Sequence, residues 1–314
     1  MGAGSMSKLA ALSSKQFGLM THAQAIEAGL SRTALSRLVQ KKVWEQVRPR
    51  VFRRAAASQT EEQELVAICL WLGKSAVVSH RSAARLLGLK LERKEPEVTV
   101  ARSVWTDASG LICHRSDDLD EEKDTKDVRG ITVTNGARTI IDLASCLDEQ
   151  DLAIAVEEAW RLRISPTWVQ KRLKDLGRRG RRTGALTQIL EDCATREKPL
   201  ESALEVRMWR LLKKAKFPLP MCGCEFRDDH GQPGRIDLAY PDQDLAIECD
   251  GYESHGTREA FESDRVRMTR LAALGWRVFP VTWKELDDHP DKVLKRLREA
   301  LKYRTVKWVP HQVT

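Results

Sequence analysis

The stretch RIDLAYPDQDLAIECDGYESH, residues 235–255, sets six carboxylates among apolar residues of the kind that form a core. Residues 236–239 and 245–249 read as two short strands joined by a polar turn at Pro241-Asp242. Asp242 and Asp244 then belong to the turn and Glu253 to the following loop, leaving Asp237 on the first strand and Glu248 and Asp250 on the second. Glu248 and Asp250 are two residues apart and project from one face, and Asp237 can stand across from them. Two readings are open. Either the acids face water, or they converge on a hard divalent cation that relieves their repulsion and desolvation cost. A cation held there polarises a phosphate and lowers the pKa of a bound water, the chemistry of phosphodiester hydrolysis. A solvated face explains one or two acids more easily than three with Glu205 beside them, so the metal site is preferred.

Glu205 must be brought up by the amphipathic helix KPLESALEVRMWRLLKKAKF, whose stripe is Leu204, Met208, Leu211 and Leu212, flanked by Val206 and Trp209. Glu201 and Glu205 share a face near its start, where acids also complement the helix dipole. A strand at 222–226, a glycine-rich turn, the two acid-bearing strands, a helix at 258–274, a strand at 276–281 and a helix at 290–303 follow. That order predicts an α/β sandwich around a mixed sheet. Cys222 and Cys224, without a second pair, have poor spacing for zinc.

The chain has 314 residues, which predicts a multi-domain α/β protein. Residues 13–57 read as a winged helix-turn-helix. Thr21 and Ser31 each cap a helix, and two short strands turn about Pro49. The second helix buries Ala34, Leu35, Leu38 and Val39 and presents Arg32, Ser36, Arg37 and Gln40, followed by Lys41, Lys42, Arg50 and Arg53. Such a surface suits DNA, the competing reading being a helical hairpin for protein contacts. Residues 60–175 form an α/β middle domain without a visible catalytic constellation. There Ser79 is placed as a helix cap, and Arg138 and Asp142 as an ordinary i,i+4 ion pair. Residues 176–199 are a basic linker and helix. Lys171, Arg172, Lys174, Arg178, Arg179, Arg181 and Arg182 form a run that is either a solvated linker or a segment lying along phosphates.

A net charge of +8 is compatible with a polyanionic partner, and no apolar run reaches the roughly 18 residues of a membrane span. Seven scattered cysteines argue against a disulfide framework and for a reducing compartment, so a cytoplasmic location is expected.

Residues 13–175 resemble the AbiEi-like winged-helix antitoxins and regulators through THAQAIEAGLSRTALSRLVQKKVWEQVRPRVF, VVSHRSAARLLGL and ITVTNGARTIIDLA. Arg50 stands where that family has glycine in its wing. The resemblance implies DNA binding and, as an alternative function, a transcriptional regulator or type IV antitoxin with a toxin partner. Residues 200–302 resemble the very-short-patch-repair branch of the PD-(D/E)xK nucleases through SALEVRMWRLLKKA, RIDLAYP, LAIECDGYESH and SDRVRMTRLAALGWRVFPVTW.

That second resemblance implies a restriction-endonuclease-like domain using Mg2+ or Mn2+. Asp237 corresponds to its metal-binding aspartate, Glu248 to the acid of the E-x-K pair, and Glu205 to the acid on the first helix. Asp250 departs from the pattern, standing where many of these nucleases have lysine. His255 is then the candidate general acid or base, and Arg267 or Arg270 the phosphate ligand. The expected activity is metal-dependent DNA endonuclease, and double-strand cleavage from one site per chain would invite a homodimer.

Overall fold

The computed structural model describes residues 3–73, 75–104, 109–177, 183–227, 233–250 and 258–302. These divide into two compact units, one of residues 1–147 and 167–185, the other of residues 148–166 and 186–314.

In the first unit, helix α1 (Ala3–Ser14) leads into strand β1 (Leu19–Thr21), α2 (His22–Glu27), α3 (Arg32–Gln40), β2 (Trp44–Arg48) and β3 (Val51–Arg54). Thr21 and Gln24 close a reciprocal capping box on α2, and Ser31 accepts from the Ala34 amide to start α3. The strands form an antiparallel sheet in the order β1-β3-β2. Leu9, Met20, Ala25, Leu30, Leu35, Leu38, Trp44 and Phe52 make its core. This is the expected winged helix-turn-helix, with α1 and β1 as additions that apolar patterning did not reveal. Arg50 sits in the wing turn at φ 61°, the left-handed conformation that glycine adopts freely.

The same unit continues with α4 (Glu61–Leu72), β4 (Val77–Val78), α5 (His80–Leu86), β5 (Glu97–Val100), β6 (Ile112–Arg115), α6 (Glu121–Asp124), β7 (Thr125–Val128), β8 (Ile131–Thr134) and α7 (Gly136–Leu143). Its five strands lie in the order β6-β5-β4-β8-β7, mixed in direction. Arg138 and Asp142 do pair, at 2.8 Å, but not as a surface i,i+4 couple. The Arg138 side chain is 2% exposed and also holds Asp124 at 3.0 Å and Asp118 at 3.1 Å. Arg172 on α9 (Pro166–Leu176) closes on Asp124 with two bonds of 2.6 and 2.7 Å. That bidentate pair ties α9 to the first unit, and it withdraws Arg172 from the basic run. Burial pushes the Asp142 carboxyl up to about 6, against the pull of Arg138.

Helix α8 (Glu149–Arg161), expected in the middle domain, belongs to the second unit instead. Glu157 explains this. It ion-pairs Arg196 and accepts from the Leu200 amide at 2.9 Å, partners about forty residues further on that helical periodicity cannot show. The unit adds α10 (Gly184–Cys193), α11 (Ala203–Lys214), β9 (Met221–Arg227), β10 (Pro233–Tyr240), β11 (Leu245–Asp250), α12 (Arg258–Ala273), β12 (Arg277–Thr282), α13 (Trp283–Asp288) and α14 (Pro290–Lys302). The order β12-β11-β10-β9 is a mixed sheet, antiparallel except for β11-β12, whose parallel pairing requires the crossover helix α12. Trp209, read as flanking the α11 stripe, is 1% exposed and fully part of the core.

The seven cysteines are free, and no helix of the described residues is long and apolar enough to cross a membrane. Replacing Arg138 by alanine leaves Asp142 buried without its cation and takes one of two cations from Asp124, which keeps Arg172. Urea unfolding should show a loss of about 3–5 kcal/mol; a loss below about 1 kcal/mol contradicts a central role for this arginine.

Candidate active site

Helix α11 begins where Ser202 accepts a hydrogen bond from the Glu205 amide at 3.0 Å, which fixes Glu205 in the first turn. Glu205 is buried, and its Oε2 accepts from the Glu201 amide and from Arg235 Nη2, both at 3.0 Å. Arg235 rises from β10, with Nη1 2.7 Å from Glu201 Oε2 and 3.6 Å from Asp237 Oδ1. Three acids thus share one guanidinium, although nothing in the strand pattern around Arg235 marks it as their partner.

The β10-β11 register, Leu238 opposite Ile247, sets Asp237 opposite Glu248. Directly opposed residues of an antiparallel pair share a face, so the two carboxylates meet on one side of the sheet. Asp250, two residues along β11, lies on that face and is half-buried. Asp237 Oδ2 accepts from the Cys249 amide at 2.9 Å. Ala239 and Ala246, also opposed, share this face and join Leu271 of α12 in an apolar cluster. Arg267 stands one helical turn before Leu271, and α12 directs it at the acids. Its Nη2 ion-pairs Glu248 Oε2 and lies 3.7 Å from Asp237 Oδ2.

Burial, and after it the charge of Asp237, raises the Glu205 carboxyl above the usual carboxylate range. Burial also pushes the Cys249 thiol well up, with Asp237, Glu205 and Asp250 adding to it, which registers the negative potential of the site. Glu248 is 1% exposed and its Oε1 has no hydrogen-bond partner among the described residues. Its Oε2 faces Arg267 as an ion pair without hydrogen-bond geometry. A buried carboxylate oxygen without a donor is costly. An oxygen-only set of this kind fits a hard divalent cation, which Asp237 and Glu248 could hold, with Asp250 on the same face and Glu205 beside them.

Asp237 and Glu248 stand opposed with Asp250 two residues along the same face, but these three are not a group whose ligand atoms all lie within 4.8 Å of one another. Among the described residues, the one group of three His, Cys, Asp or Glu side chains with ligand atoms all within 4.8 Å of one another is His80, Glu97 and His114. At the carboxylate site the Arg235 and Arg267 guanidiniums stand among the acids, and strand alternation could not show that. Arg270 lies over the Phe226 ring at 5.7 Å. His255 and Arg178, Arg179, Arg181 and Arg182 lie outside the described residues.

On the winged helix, Arg32, Ser36, Arg37, Lys41, Lys42 and Arg50 are all exposed, as a groove-reading face requires. Arg53 is not. It stands opposite Glu45 in the β2-β3 pair and is held there at 2.6 Å, a cross-strand partner that outward alternation did not anticipate.

Ser79 occupies the cap position of α5 but makes no side-chain cap bond there. Its hydroxyl lies 2.9 Å from His80 Nδ1 and 2.8 Å from Thr99 Oγ1. Burial, then His114, Arg138 and Arg81, lowers the His80 pKa to about 2 and keeps that ring neutral. His114 and Glu97 are far from His80 in sequence and arrive on neighbouring strands, so spacing gave no signal of the grouping.

Comparison with known proteins bears on both ends of the chain. Residues 7–55 match the AbiEi_4 family model, described as transcriptional regulator, AbiEi antitoxin. Residues 222–301 match the REase_MTES_1575 family model, a restriction-endonuclease-like domain. Two Mycobacterium tuberculosis relatives, the uncharacterized proteins MT2308 of strain CDC 1551 / Oshkosh and Rv2248 of strain H37Rv, are each 25% identical over 244 residues. The alignment spans 76% of this chain and 85% of each relative. The crystal structure of the RV2827C protein from Mycobacterium tuberculosis aligns over 71% of this chain and 88% of its own, at 14% identity and a TM-score of 0.42. The chain is thus similar at its N-terminal end to AbiEi antitoxin regulators and at its C-terminal end to restriction-endonuclease-like domains.

Proposed function

We propose that this protein is a DNA-binding, divalent-metal-dependent endonuclease that hydrolyses phosphodiester bonds. The observation that carries the reading is the buried Glu248 carboxylate opposite Asp237, with one oxygen lacking any donor among the described residues. The match of residues 222–301 to a restriction-endonuclease-like family supports it. Asp237 and Glu248 would hold Mg2+ or Mn2+, with Asp250 on the same face and Glu205 beside them. A bound cation would supply Lewis-acid stabilisation of charge on the phosphoryl oxygens and a water acidified for attack. Arg267, which lies against Asp237 and Glu248, carries the paired donors that would suit a scissile phosphate at this site. Arg235 keeps Glu201, Glu205 and Asp237 from repelling one another before DNA binds.

A second reading has its own support. Arg267 already lies on Glu248 and Asp237, and Asp250 stands where many of the nucleases this domain resembles have lysine. A nuclease fold closed by an internal cation would serve a transcriptional regulator or antitoxin that only adds DNA contacts, with a toxin as partner.

Incubation of supercoiled plasmid with the purified chain and Mg2+ or Mn2+ separates the two. Nicking or linearisation is expected, falling by at least about 100-fold in Asp237→Ala and Glu248→Ala, as the loss of several kcal/mol of charge stabilisation requires. Intact plasmid, or variants as active as the parent, would favour the regulator. The DNA-binding face is tested separately by mobility shift. Arg32→Ala with Arg37→Ala should weaken binding and lower the slope of log affinity against log salt by about 1 for each phosphate no longer neutralised. An unchanged slope removes α3 from the interface.

A further inference from the structure

The two oxygens of Asp237 belong to different halves of the acid cluster. Oδ2 accepts from the Cys249 amide and shares Arg267 with Glu248, whose Oε1 has no donor among the described residues. Oδ1 shares Arg235 with the acids around the start of α11 and stands 3.6 Å from its Nη1. The halves differ in how the arginine is held. Arg267 meets Glu248 as an ion pair without hydrogen-bond geometry and leaves one oxygen unanswered. Arg235 hydrogen-bonds Glu205 Oε2 at 3.0 Å and pairs Glu201 Oε2 at 2.7 Å, so its half is already supplied with donors.

The neighbouring strand makes room for that guanidinium. On β9, Gly223 falls between Cys222 and Cys224, which stand opposite Leu238 and Ile236, so it is level with Asp237. Arg235 and Asp237, two residues apart on β10, share a face. Gly223 has φ 60°, and a side chain there would begin 3.0 Å from Arg235 Nε. A glycine inside a strand, at a conformation it alone adopts freely, suits a close approach of this kind. Hydrolases that use two cations set them about 3.5–4 Å apart, and an aspartate with one oxygen in each half could bridge such a pair. We propose that Arg235 takes the place of the second cation, so that this chain binds one divalent ion, between Asp237 and Glu248. The inference rests on the metal-dependent reading above and adds its stoichiometry. Arg235 is a positioning residue here. It neutralises Glu205 and Asp237 but cannot acidify a water as a metal ion does.

The test loads the full chain, stripped with EDTA and dialysed, with Mn2+ and reads both stoichiometry and the low-temperature paramagnetic resonance of the bound ion. The parent should take up one equivalent that Glu248→Gln removes, with the six-line spectrum of an isolated Mn2+. Arg235→Met leaves Glu205 and Asp237 facing each other without their cation. It should bind a second equivalent and show the broadened spectrum of two spin-coupled ions. Glu205→Gln added to Arg235→Met should abolish that second equivalent. Arg235→Lys, which restores a positive charge, should return the count to one, a rescue that a merely structural role would not produce. Thermal unfolding confirms that each variant is folded, and the parent's own count tests the inference without any variant. A parent that binds two coupled ions overturns this inference alone, as does a folded Arg235→Met that binds only one. A parent that takes up no Mn2+ overturns the metal-dependent reading itself, and this inference with it.

Discussion

Two carboxylates facing each other across neighbouring strands of a covered sheet are the constraint around which the C-terminal unit is arranged. Asp237 and Glu248 are buried and would repel, and removing either charge from water is expensive unless a counter-charge stands close. The protein supplies two guanidiniums, from different directions. Arg235 comes from the same strand as Asp237 and is shared with Glu201 and Glu205, while Arg267 descends from the crossover helix. Their number is still insufficient, since Glu248 Oε1 meets no donor among the described residues. A sheet built only for stability would replace such a pair with apolar residues at little cost. Its presence in a core is the physical reason to look for a cation and a phosphate.

Buried ionic networks also organise the rest of the chain, and they decide which helix belongs to which unit. Arg172 reaches Asp124 within one unit, and Glu157 reaches Arg196 within the other. Helices α8 and α9 are consecutive in sequence, yet they divide between the two units. Each network is fixed by partners that must all be present, because a lone buried ion would be far costlier than an apolar side chain.

These long-range pairs mark the limit of what the sequence could tell. The winged helix was legible because Thr21, Ser31 and the α3 stripe are local signals, and so were the strands of the C-terminal sheet. The placement of Asp237 opposite Glu248 was legible because hairpin register follows from strand length and turn position. The placement of α8 was not, since its deciding bond lies about forty residues away. The same reason hid Arg235 and Arg267 as partners of the acids, and the Glu45 partner of Arg53. Ser79 shows a subtler failure. Its type and position suit a cap, but the hydroxyl is drawn instead to His80 and Thr99, which only the sheet brings close.

Whether Asp237 and Glu248 hold a cation or merely close on two arginines is decided most directly by equilibrium binding of Mn2+, read from the paramagnetic resonance of the free ion. The account predicts that the parent protein takes up Mn2+ at a site lost in Glu248→Gln. Equal uptake by parent and variant would contradict it.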